Sequence, residues 1–304
     1  MPIDFGLEVP SKGAVPEKTI AEKGKEAYDT VRESLKKEEA KKEESKDIAF
    51  TDKDVEQWLS DAEKGQLSSY FNCLVIGADG TGKSGIIMSK MKTLPKKNII
   101  IDLDGGDEPL KLRYYNDAKN IIIVNPLVME TVMGDIILDY KQTFAKIKAI
   151  IKYVHDHHDQ FSSICLDGIS TLLKYAEYQM RIDKNIAPDG GVQMRYWINR
   201  SKTFIEVLEC LKHIPNVSKF LIGHEDFILK EDSAAVKAKT NQMIHQRIIC
   251  RKVESKDQSD EVQFVAKIDK SKYNILLEGK EIVFAQVKGD KFNWNCDKVF
   301  EGLG

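Results

Sequence analysis

Residues 77–84 read Gly-Ala-Asp-Gly-Thr-Gly-Lys-Ser, the spacing G-x-x-x-x-G-K-[ST] of a loop that wraps phosphate groups. Glycines suit such a loop because its backbone N–H groups must converge on an anion at a distance that side chains would block. Gly77 opens the turn and Gly82 closes it, with Ala78, Asp79, Gly80 and Thr81 between them. Lys83 offers a point charge to the β- and γ-phosphates and Ser84 a hydroxyl to Mg2+, while a helix entered through Gly85 adds the positive end of its dipole. This is the chemistry of binding a nucleoside triphosphate. A glycine-rich turn can match such a pattern by chance, but here a strand-like run, Phe71–Ile76, precedes it and a helix-like run, Gly85–Met91, follows.

Hydrolysis asks for more than the loop: a carboxylate to organise Mg2+ and a group to position the attacking water. Ser162-Ser163-Ile164-Cys165-Leu166-Asp167 is an apolar strand ending in an acid, the pattern in which a metal-side carboxylate emerges at the edge of a sheet beside the loop. Asp167 is that candidate; the alternative is an Asp that caps the next helix. A second buried strand, within Ile99-Ile-Ile-Asp-Leu-Asp-Gly-Gly-Asp107, exits into acidic, glycine-rich backbone some twenty residues after Lys83.

These residues need a scaffold, and the pattern around them alternates strand and helix. Strands are expected at 71–76, 98–104, 120–124, 161–167 and 218–223, and helices at 83–92, 139–157, 169–181 and 197–213. Strands as continuously apolar as Ile121-Ile-Ile-Val124 are covered on both faces, which implies a mainly parallel sheet flanked by helices, an α/β fold. From about residue 245 the texture turns β-rich, at 248–253, 262–268, 282–287 and 292–294, and reads as an antiparallel extension to 304. Thr51 reads as the cap of a short helix with Val55, Trp58 and Leu59 on its apolar stripe, leading into a domain over 51–304. Residues 1–50 differ: Lys36–Lys46, KKEEAKKEESK, can bury no core, so a flexible charged tail or a fraying solvated helix is expected.

The net charge of −2 excludes a global basic field, so any nucleic-acid contact must be local. Five widely spaced cysteines read as reduced thiols, and no apolar run approaches the roughly eighteen residues of a membrane span. A cytoplasmic setting without membrane contact is expected, the host cytoplasm for a viral chain. His155-Asp-His-His-Asp159 has metal-ligating residue types, but only His155 and Asp159 share a face, so it reads as a helix terminus.

The order of phosphate loop, strand ending Ile101-Asp102-Leu103-Asp104, acid-tipped strand and polar-tipped strand resembles the RecA-like branch of P-loop ATPases, over about residues 70–275. Within it, Ile-Asp-Leu-Asp-Gly-Gly and Leu-Ile-Gly-His-Glu are most similar to the phage-type AAA ATPases that include RecA-like single-strand annealing proteins. The resemblance implies ATP and Mg2+ as ligands. It implies Asp104 as the acid that activates water, where the family usually has the longer Glu, with Glu108 in reserve and Asp102 fixing the strand end. His224 matches the family's sensor of the γ-phosphate, and Lys270 and Lys272 match cations projected onto a neighbour's phosphates in a ring or filament. The family's DNA-binding loops map to 182–196 and 227–246, which are moderately basic and equally readable as solvated connections. The function implied is an ATPase of DNA recombination, annealing or replication; the alternative is a nucleotide-dependent assembly or packaging factor that does not bind DNA directly.

Overall fold

A computed structural model of the chain describes residues 51–304 except 52, 54, 57, 58, 61–69, 226–232, 255–260, 273, 289, 290, 295 and 301–304. The expected tail at 1–50 therefore lies outside the described residues, as does Trp58. The chain divides into two units, Met1–Gln66 and Leu67–Gly304. In the first, residues 53, 55, 56, 59 and 60 are helical, and the Val55 N–H donates to the Thr51 carbonyl at 3.2 Å.

The second unit is built on one sheet. Strands β1 (Asn72–Gly77), β2 (Lys97–Asp102), β3 (Ile121–Val124), β6 (Phe161–Asp167), β7 (Ser218–His224) and β8 (Gln246–Glu254) run parallel, and β9 (Glu261–Ser271), β10 (Glu281–Lys288) and β11 (Lys291–Trp294) continue antiparallel. Their order is β11-β10-β9-β8-β1-β7-β6-β2-β3. The C-terminal extension is thus antiparallel only from β9 onward, since β8 lies parallel to β1.

Alternation along each strand fills two cores. Leu74, Ile76, Ile99, Ile101, Ile164 and Leu166 meet helices α3 (Tyr140–Asp156), α4 (Ile169–Asp183), α5 (Trp197–Lys212) and α6 (Ala234–Met243) on one face. Cys73, Val75, Ile100, Cys165, Phe220 and Ile222 meet α1 (Lys83–Thr93) and the C-terminal residues Phe284, Val299 and Phe300 on the other. Burial on both faces is why these strands read as unbroken apolar runs. Helix α3 turns Phe144, Ile147, Ile151 and Val154 to the core at helical spacing and starts at Asp139, whose side chain accepts from the Gln142 N–H at 2.9 Å. At its other end the His157 and His158 rings contact the carbonyls of Tyr153 and His155, so the histidine cluster closes a helix.

Five elements, α2 (Asp107–Tyr114), β4 (Met129–Val132), β5 (Asp135–Leu138), α6 and α7 (Asp297–Phe300), were not expected from sequence. Helix α2 (Asp107–Tyr114) begins where the second strand was extended to 104; β2 stops at Asp102 and a turn follows. Its only buried residue is Asp107, so it carries no apolar stripe to read. The hairpin of β4 (Met129–Val132) and β5 (Asp135–Leu138) is exposed along most of its length and lacks the alternation of a half-buried strand. Helix α6 occupies half of the expected loop 227–246, capped by Ser233, whose hydroxyl accepts from the Val236 N–H. A short helix α7 (Asp297–Phe300) follows β11.

Candidate active site

Because β1, β7, β6 and β2 are neighbours and parallel, their C-terminal ends present Gly77, His224, Asp167 and Asp102 along one edge. The phosphate loop forms one wall. Gly80 and Gly82 hold φ of 70° and 82°, values that L side chains avoid, and a Cβ at Gly77 would collide with the Cys250 carbonyl of the adjoining strand. Thr81 is buried, its hydroxyl donating to the Ala78 carbonyl at 2.8 Å. Lys83 Nζ donates to the carbonyls of Gly77 (3.1 Å) and Ala78 (2.8 Å), which keeps its charge at the loop. Asp79 is nine-tenths exposed, and its Oδ1 lies 3.3 Å from His224 Nδ1.

Carboxylates form the facing wall. Ser84 Oγ donates to Asp167 Oδ2 at 2.6 Å, joining the first turn of α1 to the end of β6. Asp102 accepts three backbone N–H groups, from Asp104 (3.0 Å), Gly105 (2.7 Å) and Asp107 (3.0 Å), and so shapes the turn between β2 and α2. That turn exposes Asp104, whose Oδ1 accepts from Thr171 Oγ1 at 2.6 Å, above Gly168. Gly168 sits at φ 93°, and a Cβ there would come within 2.9 Å of the Asp104 carboxylate. His224 is held from behind by its own N–H, which donates to Ser170 Oγ at 2.9 Å.

Asp107, which sequence reasoning did not single out, lies between these groups. It is 1 % exposed, and neither of its carboxylate oxygens meets a donor at hydrogen-bond geometry, although the Asp167 carboxyl and the Ser84 hydroxyl, which is already given to Asp167, adjoin it. Burial, with Asp167 and Asp102 nearby, pushes its carboxyl well above the usual carboxylate range. Burial likewise raises Asp167, against the opposing bond from Ser84. The signal that could have found Asp107 is its place as the third acid of Asp102-Leu-Asp-Gly-Gly-Asp, opening a helix behind two glycines.

Two cavities meet at the loop. A polar one of about 220 Å3 is lined by Asp79, Lys83, Ser84, Asp102, Asp104, Asp107, Asp167 and His224 among others. An aromatic one of about 300 Å3 is lined by Gly80–Gly85 with Leu110, Tyr114, Phe264 and Trp294. Trp294 packs so closely on Gly85 that a Cβ there would strike its ring, and Tyr115 OH donates to the Gly85 carbonyl at 2.8 Å. The donors of the polar cavity are hydroxyl and carboxylate oxygens, two of them orphaned, the set a hard cation such as Mg2+ takes. Among the described residues no three His, Cys, Asp or Glu side chains form a protein-only cage, so a cation held here draws further ligands from phosphate oxygens and water.

Other expected site residues lie apart. Glu108 is exposed on the first turn of α2 and does not line the polar cavity. Lys270 pairs in register with Arg247 at the start of β8, whereas Gly77 pairs with Cys250, so Lys270 and Lys272 stand toward the far end of the sheet from their own loop. Lys270 Nζ donates there to the Asn241 carbonyl at 3.0 Å. Of the second basic loop, Lys230 and Phe227 lie outside the described residues, Lys239 pairs with Glu209, and Arg247 pairs with Asp269. In the first, Lys184 and Arg195 stand over the Tyr196 ring (5.7 and 4.9 Å) and Arg200 over Trp197 (4.8 Å). No described helix is long and apolar enough to cross a membrane.

No protein-family model matches the chain, and no curated protein matches it. Among solved structures it is similar to the crystal structure of the RadB recombinase, at 16% identity and a TM-score of 0.44, covering 70% of this chain and 86% of that one.

Proposed function

We propose that the chain binds and hydrolyses ATP with Mg2+ as a RecA-like ATPase of DNA recombination, annealing or replication, of the phage type that its Ile101–Gly106 and Leu221–Glu225 motifs resemble. The observation that carries this reading is the 2.6 Å bond from Ser84 to Asp167, which joins loop hydroxyl and strand-end carboxylate at one point beside Lys83. Ser84 and Asp167 would hold Mg2+, which when bound offsets the charge of the β- and γ-phosphates and withdraws charge from the leaving group. Gly77–Gly85 enclose the phosphates, Lys83 reaches their oxygens, and Asp104 accepts the proton of the attacking water. Thr171 and Gly168 keep the short Asp104 side chain over the cleft, which supports it doing the work of a longer Glu. Glu108 stays in reserve on the next turn. His224 links γ-phosphate occupancy to the Ser170 turn. The base lies in the aromatic cavity, against Tyr114 and Trp294.

Single-stranded DNA is taken by the stacked cations and rings of Lys184, Arg195, Tyr196, Trp197 and Arg200. Ser201 and Ser233 hydroxyls lie 3.1 Å apart, which ties the first turn of α5 to the segment that follows the site end of β7. Lys270 and Lys272, remote from their own loop, act on the phosphates of an adjoining copy in a homo-oligomer.

ATP turnover and oligomer size measured with and without single-stranded DNA test the reading. DNA is expected to raise one or both, and Lys83→Ala to abolish nucleotide binding. If wild type binds ATP while DNA changes neither quantity, a nucleotide-driven assembly or packaging factor replaces it; intact nucleotide affinity in Lys83→Ala removes the site itself.

A further inference from the structure

We infer that Asp107 is a further ligand of the divalent cation, a second carboxylate beside Asp167 that lets the protein hold the cation before nucleotide arrives. The inference rests on the polar cavity being a phosphate-and-metal site. Four aspartates converge there, and three have partners: Asp102 takes three backbone N–H groups, Asp104 the Thr171 hydroxyl, and Asp167 the Ser84 hydroxyl. Neither oxygen of Asp107 meets a donor at hydrogen-bond geometry, although it is 1 % exposed, lines the same cavity and adjoins Asp167 and Ser84. Its own N–H is bound by Asp102 Oδ2, so the backbone delivers the carboxylate to this place and holds it there.

A buried carboxylate without hydrogen bonds is among the costliest groups a fold can carry, and a fold retains one where a ligand completes it. A hard cation suits it, because Asp107, Asp167 and Ser84 present the carboxylate and hydroxyl oxygens that Mg2+ and Mn2+ accept, leaving the remaining positions to water and phosphate. Residues from α1, α2 and β6 would thereby be joined through one ion, so cation binding should stiffen the cleft without nucleotide. Two acids in place of one also raise affinity for the free ion, which a loop hydroxyl and a single carboxylate hold weakly.

The test uses Mn2+ as the probe, with bound ion read from its electron paramagnetic resonance signal and, separately, from the thermal midpoint, with and without ATP. Wild type should take up one Mn2+ per chain without ATP and gain midpoint on doing so. Asp107→Asn should bind Mn2+ at least tenfold more weakly and lose that gain. Its metal-free midpoint should rise, since a buried acid that no donor meets has been removed. Glu130→Gln, an exposed carboxylate of the β4–β5 hairpin that does not line the cavity, should match wild type. Asp107→Glu keeps a carboxylate and should retain uptake within tenfold, which covers failure of the Asn variant to fold. Equal Mn2+ affinity in wild type and Asp107→Asn, with and without ATP, overturns the inference and leaves Asp107 as an acid sharing a proton with Asp167. Nucleotide affinity in the presence of a chelator, wild type against Lys83→Ala, reports separately on the ATP-binding reading.

Discussion

The two ends of the same parallel strands carry opposite charge. At the C-terminal end, Asp79, Asp102, Asp104, Asp107 and Asp167 gather with the ammonium of Lys83 around one cavity. At the N-terminal end, Lys219, His245, Arg247, Lys270 and Lys272 gather, and burial, with the three lysines nearby, pushes His245 below its usual value. The basic end is answered largely from within: Asp269 pairs with Arg247, the Asn241 carbonyl accepts from Lys270, and the Ile214 carbonyl accepts from Lys219 at 2.6 Å. The acidic end is not, because no donor meets the Asp107 oxygens at hydrogen-bond geometry and Asp104 is exposed. The basic end is thus held mainly by partners within the fold, with Lys272 left exposed, whereas the acidic end leaves carboxylate oxygens open to the cleft.

That contrast predicts where substitutions act. The largest effect is expected at the open end: Asp104→Asn should lower ATP turnover by about 10²–10⁴-fold while nucleotide affinity stays near wild type. A fall in affinity equal to the fall in turnover would mean that Asp104 only shapes the cleft. Next, Lys272→Ala, an exposed residue at the closed end, should leave monomer nucleotide binding unchanged and cut turnover of the assembled form by about a hundredfold or more, as loss of a trans cation does. Identical turnover across protein concentrations in both proteins would confine the basic end to folding.

Gly77→Ala is expected to cost about 2 kcal/mol of stability in urea unfolding, since its Cβ meets the Cys250 carbonyl, a backbone atom that cannot swing away. The smallest change is at Lys219, 7 % exposed, where burial lowers the ammonium to about 8 from 10.5. Below about pH 8 both folded and unfolded states carry this proton and the folded state bears the full cost of a buried charge. Between 8 and 10.5 the unfolded state alone keeps it, so stability from this group rises with pH there. Lys219→Met should therefore gain about 1 kcal/mol near pH 7, offset in part by the orphaned Ile214 carbonyl, and the gain should shrink as pH climbs through that window. A gain independent of pH would assign the effect to packing.

Much of this architecture is legible along the chain. The runs ending at Gly77, Asp102, Asp167 and His224 read as buried strands because each is covered on both faces, and four of the helices are readable from the runs between the strands. Helix α2 and the β4–β5 hairpin were illegible for the converse reason: they bury almost nothing, so no periodicity marks them. Helix α6 shows the intermediate case, since Val236, Thr240 and Met243 are its buried residues and a threonine in that stripe hides the pattern.

The sequence by itself determined the glycine-rich loop, because its eight residues are consecutive and local torsions at Gly80 and Gly82 shape it. It also determined which strand ends carry acids, because an apolar run stopped by Asp is a local event. Only the tertiary structure decided that Asp107 is buried beside Asp167 and Ser84, that Trp294 closes over Gly85, and that Lys270 and Lys272 face away from their own loop. Each of those facts depends on strand order and register, which bring together residues far apart in the chain, and the free energy that sets them is spread over both cores rather than held in any one stretch of residues.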